Sequence, residues 1–438
     1  MRRAKIVLLR LDYLLGTAII ICQILYIRQM VSILFYLSFL VSIALWICTT
    51  TESLDKLDRL TIAIIMLALI HVAINAAITD AVFSFEYLKK YIMFCCSMVF
   101  LSAIRRISLD RGTFRFLEVL FLIVGIFMLF MFFFRNQQMH LLNGRYTRYL
   151  TFRFNNPNLT ALFLACMTMF LEVAAFQERR IPMKILLYAV AAAELVFLFL
   201  TKSRNALLAV GLFTIVAVWF LLRRRRIAFR KGVLGLVAVF PILFAIAYLF
   251  FIDNADSVKL LSFFAGEGKL LNSRSKVWKV AFQAFESSPV FGAYYQISGG
   301  TGLSQMHNTH VDILTSYGLS VLVLVCVYLY LLMRDSQMKV KPSASSTPLL
   351  GFICALFLGV GEAALFSGGL SVYLFFGIFL AMTDKGEETD EERRTEETKM
   401  KKIGFIGMGN MAQAMAVGLL RAGKVSDEAL YAYAPNQD

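Results

Sequence analysis

Apolar runs of about 20 residues, nearly free of charge, recur along the chain between short polar connections. Each is long enough, as a helix, to cross the roughly 30 Å of a bilayer's hydrocarbon. About twelve stretches qualify, near residues 11–27, 30–48, 60–78, 87–104, 116–134, 158–176, 184–200, 205–222, 232–252, 311–332, 348–365 and 369–383. The pattern lapses twice. A long polar loop, about 253–310, carries Val277, Trp278, Ala281, Phe282 and Phe285 at helical spacing, which predicts an amphipathic helix. Beyond 383, residues 384–399 form a charged linker too polar to bury a core. Residues 400–438 then read as a short strand, a glycine turn and a helix. The expected fold is an all-α polytopic membrane domain over 1–383, with one long extracytoplasmic loop, followed by a truncated Rossmann β-α fragment.

Composition adds a direction to this picture. The chain is 59% hydrophobic with 40 Phe and 17 Tyr, and its mean hydropathy is +0.70. The segments 1–10, 104–115 (Arg105, Arg106, Arg111, Arg115), 177–184 and 223–231 are basic, whereas 79–86 holds Asp80 and Glu86 and no Lys or Arg. Basic loops stay inside, which puts both termini in the cytoplasm. The net charge of +15 is then a topology signal plus attraction to lipid headgroups, and no nucleic-acid partner is expected. Met1-Arg2-Arg3-Ala4-Lys5 precedes the first apolar run without a small-residue cleavage site, so that run reads as an uncleaved span. All seven cysteines lie in apolar runs, without metal-site or disulfide-framework spacing.

Three outward connections are basic against that rule. They carry Arg135, Arg145, Arg148 and Arg153 in 135–157, Lys202 and Arg204 in 201–204, and Arg274, Lys276 and Lys279 in the long loop. The same long loop ends in Met306-His307-Asn308-Thr309-His310, where two of the four histidines sit just before an apolar run. Histidine titrates nearest neutrality and suits proton transfer. Taken singly, each basic residue also has a plain reading. Arg204 suits an interfacial anchor, Arg274 a helix lying on headgroups, and His310 an interfacial polar position or a neighbour of His307 one turn away. His71 and His140 read as structural. Asn156, Pro157 and Asn158 read as a turn and helix start. Glu362, near the interior of the 348–365 run, is a functional or ion-pairing candidate, with Glu172 and Glu194 weaker cases. Phe121 to Phe134 read as lipid-facing bulk.

Four segments stand in order: Gly144 through Asn155-Asn156-Pro157-Asn158; Ser203-Arg204-Asn205-Ala206; Ser273-Arg274 with Pro289-Val-Phe-Gly292 downstream; and His307-Asn308 followed by Gly318-Leu319. Together they resemble the O-antigen ligase and Wzy polymerase superfamily of membrane glycosyltransferases. Asn205 replaces the family's usual Gly, Val321 replaces a second Gly, and His310 is an extra histidine. The resemblance implies transfer of an oligosaccharide from a polyprenyl-pyrophosphate carrier to a glycan, lipid or protein acceptor at the outer face of a bacterial inner membrane. It implies inversion at the anomeric carbon, and no cofactor. No metal is expected, since no external carboxylate cluster is evident. Arginine grips phosphate oxygens bidentately without losing its charge. Arg204 and Arg274 are therefore the expected pyrophosphate clamps, with Arg145, Arg148 and Arg153 as further substrate contacts. His307 is the expected general base. Asn308 and Asp312 are placed to orient it, and His310 and Glu362 to contact substrate. A twelve-span transporter or flippase is the competing expectation, but the sequence has no clear internal repeat.

The tail Met400-Lys-Lys-Ile-Gly-Phe-Ile-Gly407-Met-Gly409-Asn-Met-Ala412 has the strand–turn–helix context of a dinucleotide site. It resembles the N-terminus of the pyrroline-5-carboxylate reductase family. One β-α unit buries too little to stand as a cofactor site, so the tail is expected to be a fusion or frameshift product carrying a vestigial motif.

Overall fold

Every apolar run carries a helix, because backbone amides and carbonyls without water must bond within their own segment. The computed structural model describes residues 2–25, 27–51, 53–78, 85–134, 140–142, 145–147, 157–201, 203–222, 228–253, 272–293, 306–339, 347–363, 365–366, 372–382, 403–406, 410–421 and 430–433. The helices are α1 (Arg2–Leu25), α2 (Arg28–Thr50), α3 (Lys56–Ile78), α4 (Phe85–Ile104), α5 (Arg111–Phe134), α6 (Pro157–Gln177), α7 (Ile181–Leu200), α8 (Arg204–Leu222) and α9 (Lys231–Asp253). They continue as α10 (Asn272–Ser287), α11 (Thr309–Lys339), α12 (Thr347–Leu358) and α13 (Val372–Ala381). Among the described residues, eight helices are long and apolar enough to cross a membrane: α1, α2, α3, α5, α6, α7, α9 and α11. The protein is thus a multi-pass helical membrane protein. A short antiparallel ribbon, β1 (His140–Leu142) with β2 (Arg145–Thr147), lies between α5 and α6.

α6 is the hub. Its spanning window is 89% buried in protein, against 22% for α9, which turns Leu236, Leu243, Ile246 and Phe250 outward. Pro157 opens α6, a position where its missing N–H costs nothing. The Phe-rich stretch of α5 departs from its reading as lipid-facing bulk. Phe121, Val124 and Met128 are fully buried, and among the described side chains of that stretch Ile123, Ile126 and Phe130 point outward. Phe121 meets the rings of Phe170 and Phe375 at centroid distances of 4.4 and 5.2 Å. A helix in a bundle has two environments, and composition alone does not say which face meets which.

At one end of the bundle, Arg105 and Arg106, read above only as topology charges, knit four segments together. Arg105 donates to Asp55 at 2.6 Å and Asp58 at 3.0 Å and lies 3.6 Å from Asp335. Arg106 bonds Asp58 and the carbonyls of Thr49 and Ser53.

Two apolar runs depart from straight spans. α11 carries Gly318 at φ +84°, a kink within its length. α12 ends at Leu358, well short of residue 365, and the chain turns through Gly359, Val360 and Gly361. A Cβ at Gly361 would lie 2.9 Å from Arg274 Nη1 and 3.0 Å from Asn205 Nδ2, so the glycine lets these side chains close on the turn without shifting. Glu362 accordingly lies in the turn rather than inside a span.

Contacts divide the chain into two compact units, Met1–Asp384 and Lys385–Asp438. The second holds β3 (Ile403–Ile406), α14 (Asn410–Arg421) and β4 (Leu430–Tyr433), the strands pairing in parallel from Ile403↔Leu430 to Ile406↔Tyr433. Gly407 and Gly409 lie outside the described residues, as does the side chain of Ala412 on α14.

Candidate functional site

The broken end of α12 gathers the motif segments. A helix terminus leaves its last carbonyls without partners in the helix, and here residues from two other segments supply them. Asn205 Nδ2 donates to Leu358 O at 2.9 Å, and Thr309 N donates to Gly359 O at 2.8 Å. Asn308 Nδ2 donates to Val360 O at 3.1 Å, and Thr309 Oγ1 donates to Glu362 O at 3.1 Å. Asn205 is therefore a helix-end cap with its own structural task.

Asn308 is fully buried and works at both ends of its amide. Its Oδ1 accepts from the backbone N–H groups of His310 and Val311 at 3.0 and 3.1 Å, an N-cap for α11. Its Nδ2 also reaches Pro241 O at 2.8 Å. Pro241 sits inside α9, where proline loosens the backbone ladder. Among the carbonyls of that turn, Ala238 O lies 2.7 Å from His310 Nε2. His310, expected from the sequence as a substrate contact, is thus buried against α9 and does not share an open face with His307.

His307 precedes this cap with φ +49°, the sole non-glycine residue with positive φ among the described residues. Histidine tolerates that conformation better than most side chains. Its Nδ1 lies 3.0 Å from Glu362 Oε2, and Arg274 Nη2 donates to Glu362 Oε1 at 2.9 Å. One carboxylate therefore joins an imidazole and a guanidinium from separate segments. A carboxylate oxygen accepting at Oε2 selects the tautomer with the hydrogen on Nδ1, which in a neutral ring leaves Nε2 as the acceptor nitrogen. The His307 side chain is 33% exposed, against 16% for Arg274 and 11% for Glu362, so the imidazole is the member open to a ligand.

α10 positions Arg274. The expected amphipathic helix is present, with Trp278 and Ala281 fully buried and Lys276 and Lys279 outward. Arg274 is one turn from Trp278 and so faces inward rather than onto headgroups. Trp278 Nε1 donates to Met306 O at 2.8 Å, joining α10 directly to the residue before His307. The turn after α10 locks onto the kink of α11. Leu319 N donates to Pro289 O at 3.0 Å and Ala293 N to Thr315 O at 2.7 Å. Gly292 and Gly318 take φ +80° and +84°, and a Cβ on Gly318 would sit 1.8 Å from Val290 O. Asn75 and His71 of α3 brace the lock, with Asn75 Nδ2 2.6 Å from Gly292 O and His71 Nδ1 2.6 Å from Tyr317 O. His71 is structural, as expected.

Arg204 opens α8 and is exposed, beside Asn205 but without a hydrogen bond to the carboxylate group among the described residues. Arg148 and Arg153 lie outside the described residues, and of Arg145 only the backbone, in β2, is described. Glu172 accepts from Thr214 at 3.0 Å, and Glu194 accepts from Thr168 at 3.4 Å, both between helices away from these motifs. Among the described residues no group of three or more His, Cys, Asp or Glu side chains converges as a metal site. Glu362, an ion-pairing candidate from the sequence, does pair with Arg274, but its partners were hidden because the apolar run hides the helix break. The Gly359-Val-Gly361 spacing beside it was the available signal.

Comparison with known proteins covers parts of the chain. The tail, residues 402–438, matches the family described as NADP oxidoreductase coenzyme F420-dependent. No curated protein and no solved structure matches. The stretch that runs from α7 into α11, residues 187–326, contains Arg204, Arg274 and His307 and matches the family model described as O-Antigen ligase.

Proposed function

We propose that the protein transfers or polymerises an oligosaccharide from a polyprenyl-pyrophosphate-linked donor onto an acceptor hydroxyl at the outer face of the cytoplasmic membrane. The observation that carries this reading is the Glu362 carboxylate held between Arg274 and His307, within reach of the family-matched segment. The acceptor oxygen attacks the anomeric carbon as its proton passes to His307 Nε2. The bond from that carbon to the pyrophosphate oxygen breaks, and the anomeric centre inverts. Glu362 orients the ring through Nδ1 and balances the imidazolium that forms, as a buried carboxylate does for a catalytic histidine elsewhere. Arg274 and the exposed Arg204 stabilise the charge that develops on the leaving pyrophosphate. Arg145, Arg148 and Arg153 belong to the approach of the same anionic donor. Arginine supplies the electrophilic assistance, so the reaction needs no metal in this reading.

The test compares Arg274→Ala and His307→Ala with wild type in cells that display the glycan, at matched protein levels. Each substitution is expected to lower transfer by roughly a hundredfold or more, the usual effect of losing a preorganised charge or base. Normal glycan attachment or length in both variants would sink the proposal.

A further inference from the structure

We infer that Lys90, on α4, is a positioning residue for His307, acting through Asp312 and the backbone of Met306. The inference rests on the base role proposed for His307. Lys90 Nζ lies 3.0 Å from Asp312 Oδ1, and the same oxygen accepts the Met306 N–H at 3.1 Å. The side chains are 9% and 2% exposed, so this ion pair is almost wholly withdrawn from water.

Such a pair is a poor way to gain stability, since desolvation offsets most of the attraction and an apolar pair of similar volume often does as well. Its location suggests a different service. Met306 is held at both polar atoms, its N–H by Asp312 and its carbonyl by Trp278. Asn308 is held through Pro241 O, Val360 O and the α11 cap. Between these two anchored residues stands His307 in its left-handed conformation. A sparsely populated backbone state persists only when its surroundings over-determine it.

α4 reaches the other arm of the site as well. Ser97 Oγ donates to Leu365 O at 2.6 Å, and the Phe94 ring lies 5.6 Å from that of Phe366, just beyond Glu362. One helix, remote in sequence from every motif, thus bears on both His307 and Glu362. Removing the ammonium takes the paired charge away from the buried Asp312 carboxylate, which turns toward other donors or water and releases the Met306 amide. The imidazole then drifts from its line on the acceptor while Arg274 keeps its place.

The experiment uses full-length protein in lipid nanodiscs with an undecaprenyl-pyrophosphate-linked oligosaccharide as donor. It measures release of undecaprenyl pyrophosphate, and separately the Kd for undecaprenyl pyrophosphate. Lys90→Met is expected to slow turnover per folded molecule at least about tenfold, the scale of a misplaced catalytic group, with Kd unchanged. The double variant Lys90→Met/Asp312→Asn keeps an amide oxygen for Met306 N–H and removes both charges of the pair, and is expected to recover turnover. It also covers the case in which Lys90→Met alone does not fold. His307→Ala serves as the reference. If that variant is inactive while Lys90→Met turns over normally, or if the double variant stays slow, the positioning role is wrong. If His307→Ala itself turns over normally, the base role fails instead.

Discussion

Glu362 serves two partners with different demands. Arg274 wants a full negative charge at Oε1, whereas His307 wants an acceptor of fixed direction at Oε2. Replacing Glu362 with Gln keeps the shape and an acceptor oxygen but removes the charge. Turnover is expected to fall by roughly a hundredfold to ten-thousandfold, the range for a histidine that loses its orienting carboxylate, while the fold persists; glycan transfer by the purified variant measures it. Arg274→Lys is expected to fail to restore activity, because a point charge on a flexible stem does not reproduce the planar fork. Wild-type transfer by Arg274→Lys would show that its geometry is not used. At this scale the sequence was partly legible. His307 and Arg274 stood out as polar residues in loops read as outward, and Asn205 as a departure from the glycine of the family that the sequence resembles. Glu362 stood out as a charge in an apolar run. Lys90 and Asp312 could not be paired from the sequence, because a contact between α4 and α11 is a product of tertiary packing and leaves no local pattern.

Among the elements, the decisive one is the lock between the turn after α10 and the kink of α11. Pro289-Val-Phe-Gly292 and Gly318-Leu319 are visible as separate motifs, yet neither says that it is the other's mate. The structure joins them through Leu319 N to Pro289 O and through two left-handed glycines in close approach. Gly318→Ala forces a Cβ into Val290 O and an L-residue into positive φ. It is expected to destabilise the protein by at least about 2 kcal/mol, read as a lower melting temperature in detergent. Unchanged melting would mean that the lock does not hold in the membrane protein as isolated. Helix α10 itself was legible from its 3.6-residue periodicity. The break in α12 was not, since hydropathy averages over a glycine turn as readily as over a helix.

Across the whole molecule, the charged knot of Asp55, Asp58, Arg105, Arg106 and Asp335 fastens the bundle at one end. Partial burial pushes the Asp55 carboxyl up. The hydrogen bond from Arg105, the Asp58 N–H and the charges of both arginines outweigh it and hold the group at about 2, below its ordinary 3.8. A depressed carboxyl contributes stability that is complete above the unfolded value and vanishes as pH falls through the folded one. The melting gap between wild type and Asp55→Asn is therefore expected to be constant near neutrality and to close between about pH 4 and pH 2. A gap that persists at pH 2 would place the effect elsewhere. The overall class was the most legible feature, because the eight helices of spanning length among the described residues follow directly from uninterrupted apolar runs. The burial of α5 was not, because lipid tails and protein core select the same side chains.

The left-handed backbone at His307 has a consequence for what the position can become. Most L-residues resist that conformation by roughly 1–2 kcal/mol, which leaves glycine, asparagine and aspartate as the natural substitutes. None of them presents a ring with one nitrogen for a carboxylate and a second for an incoming hydroxyl. Backbone and chemistry thus act as two filters on one codon, and the residues that pass the first are those that fail the second. Under mutational drift the site is expected to keep its histidine or to lose its activity in a single step, without a graded path between.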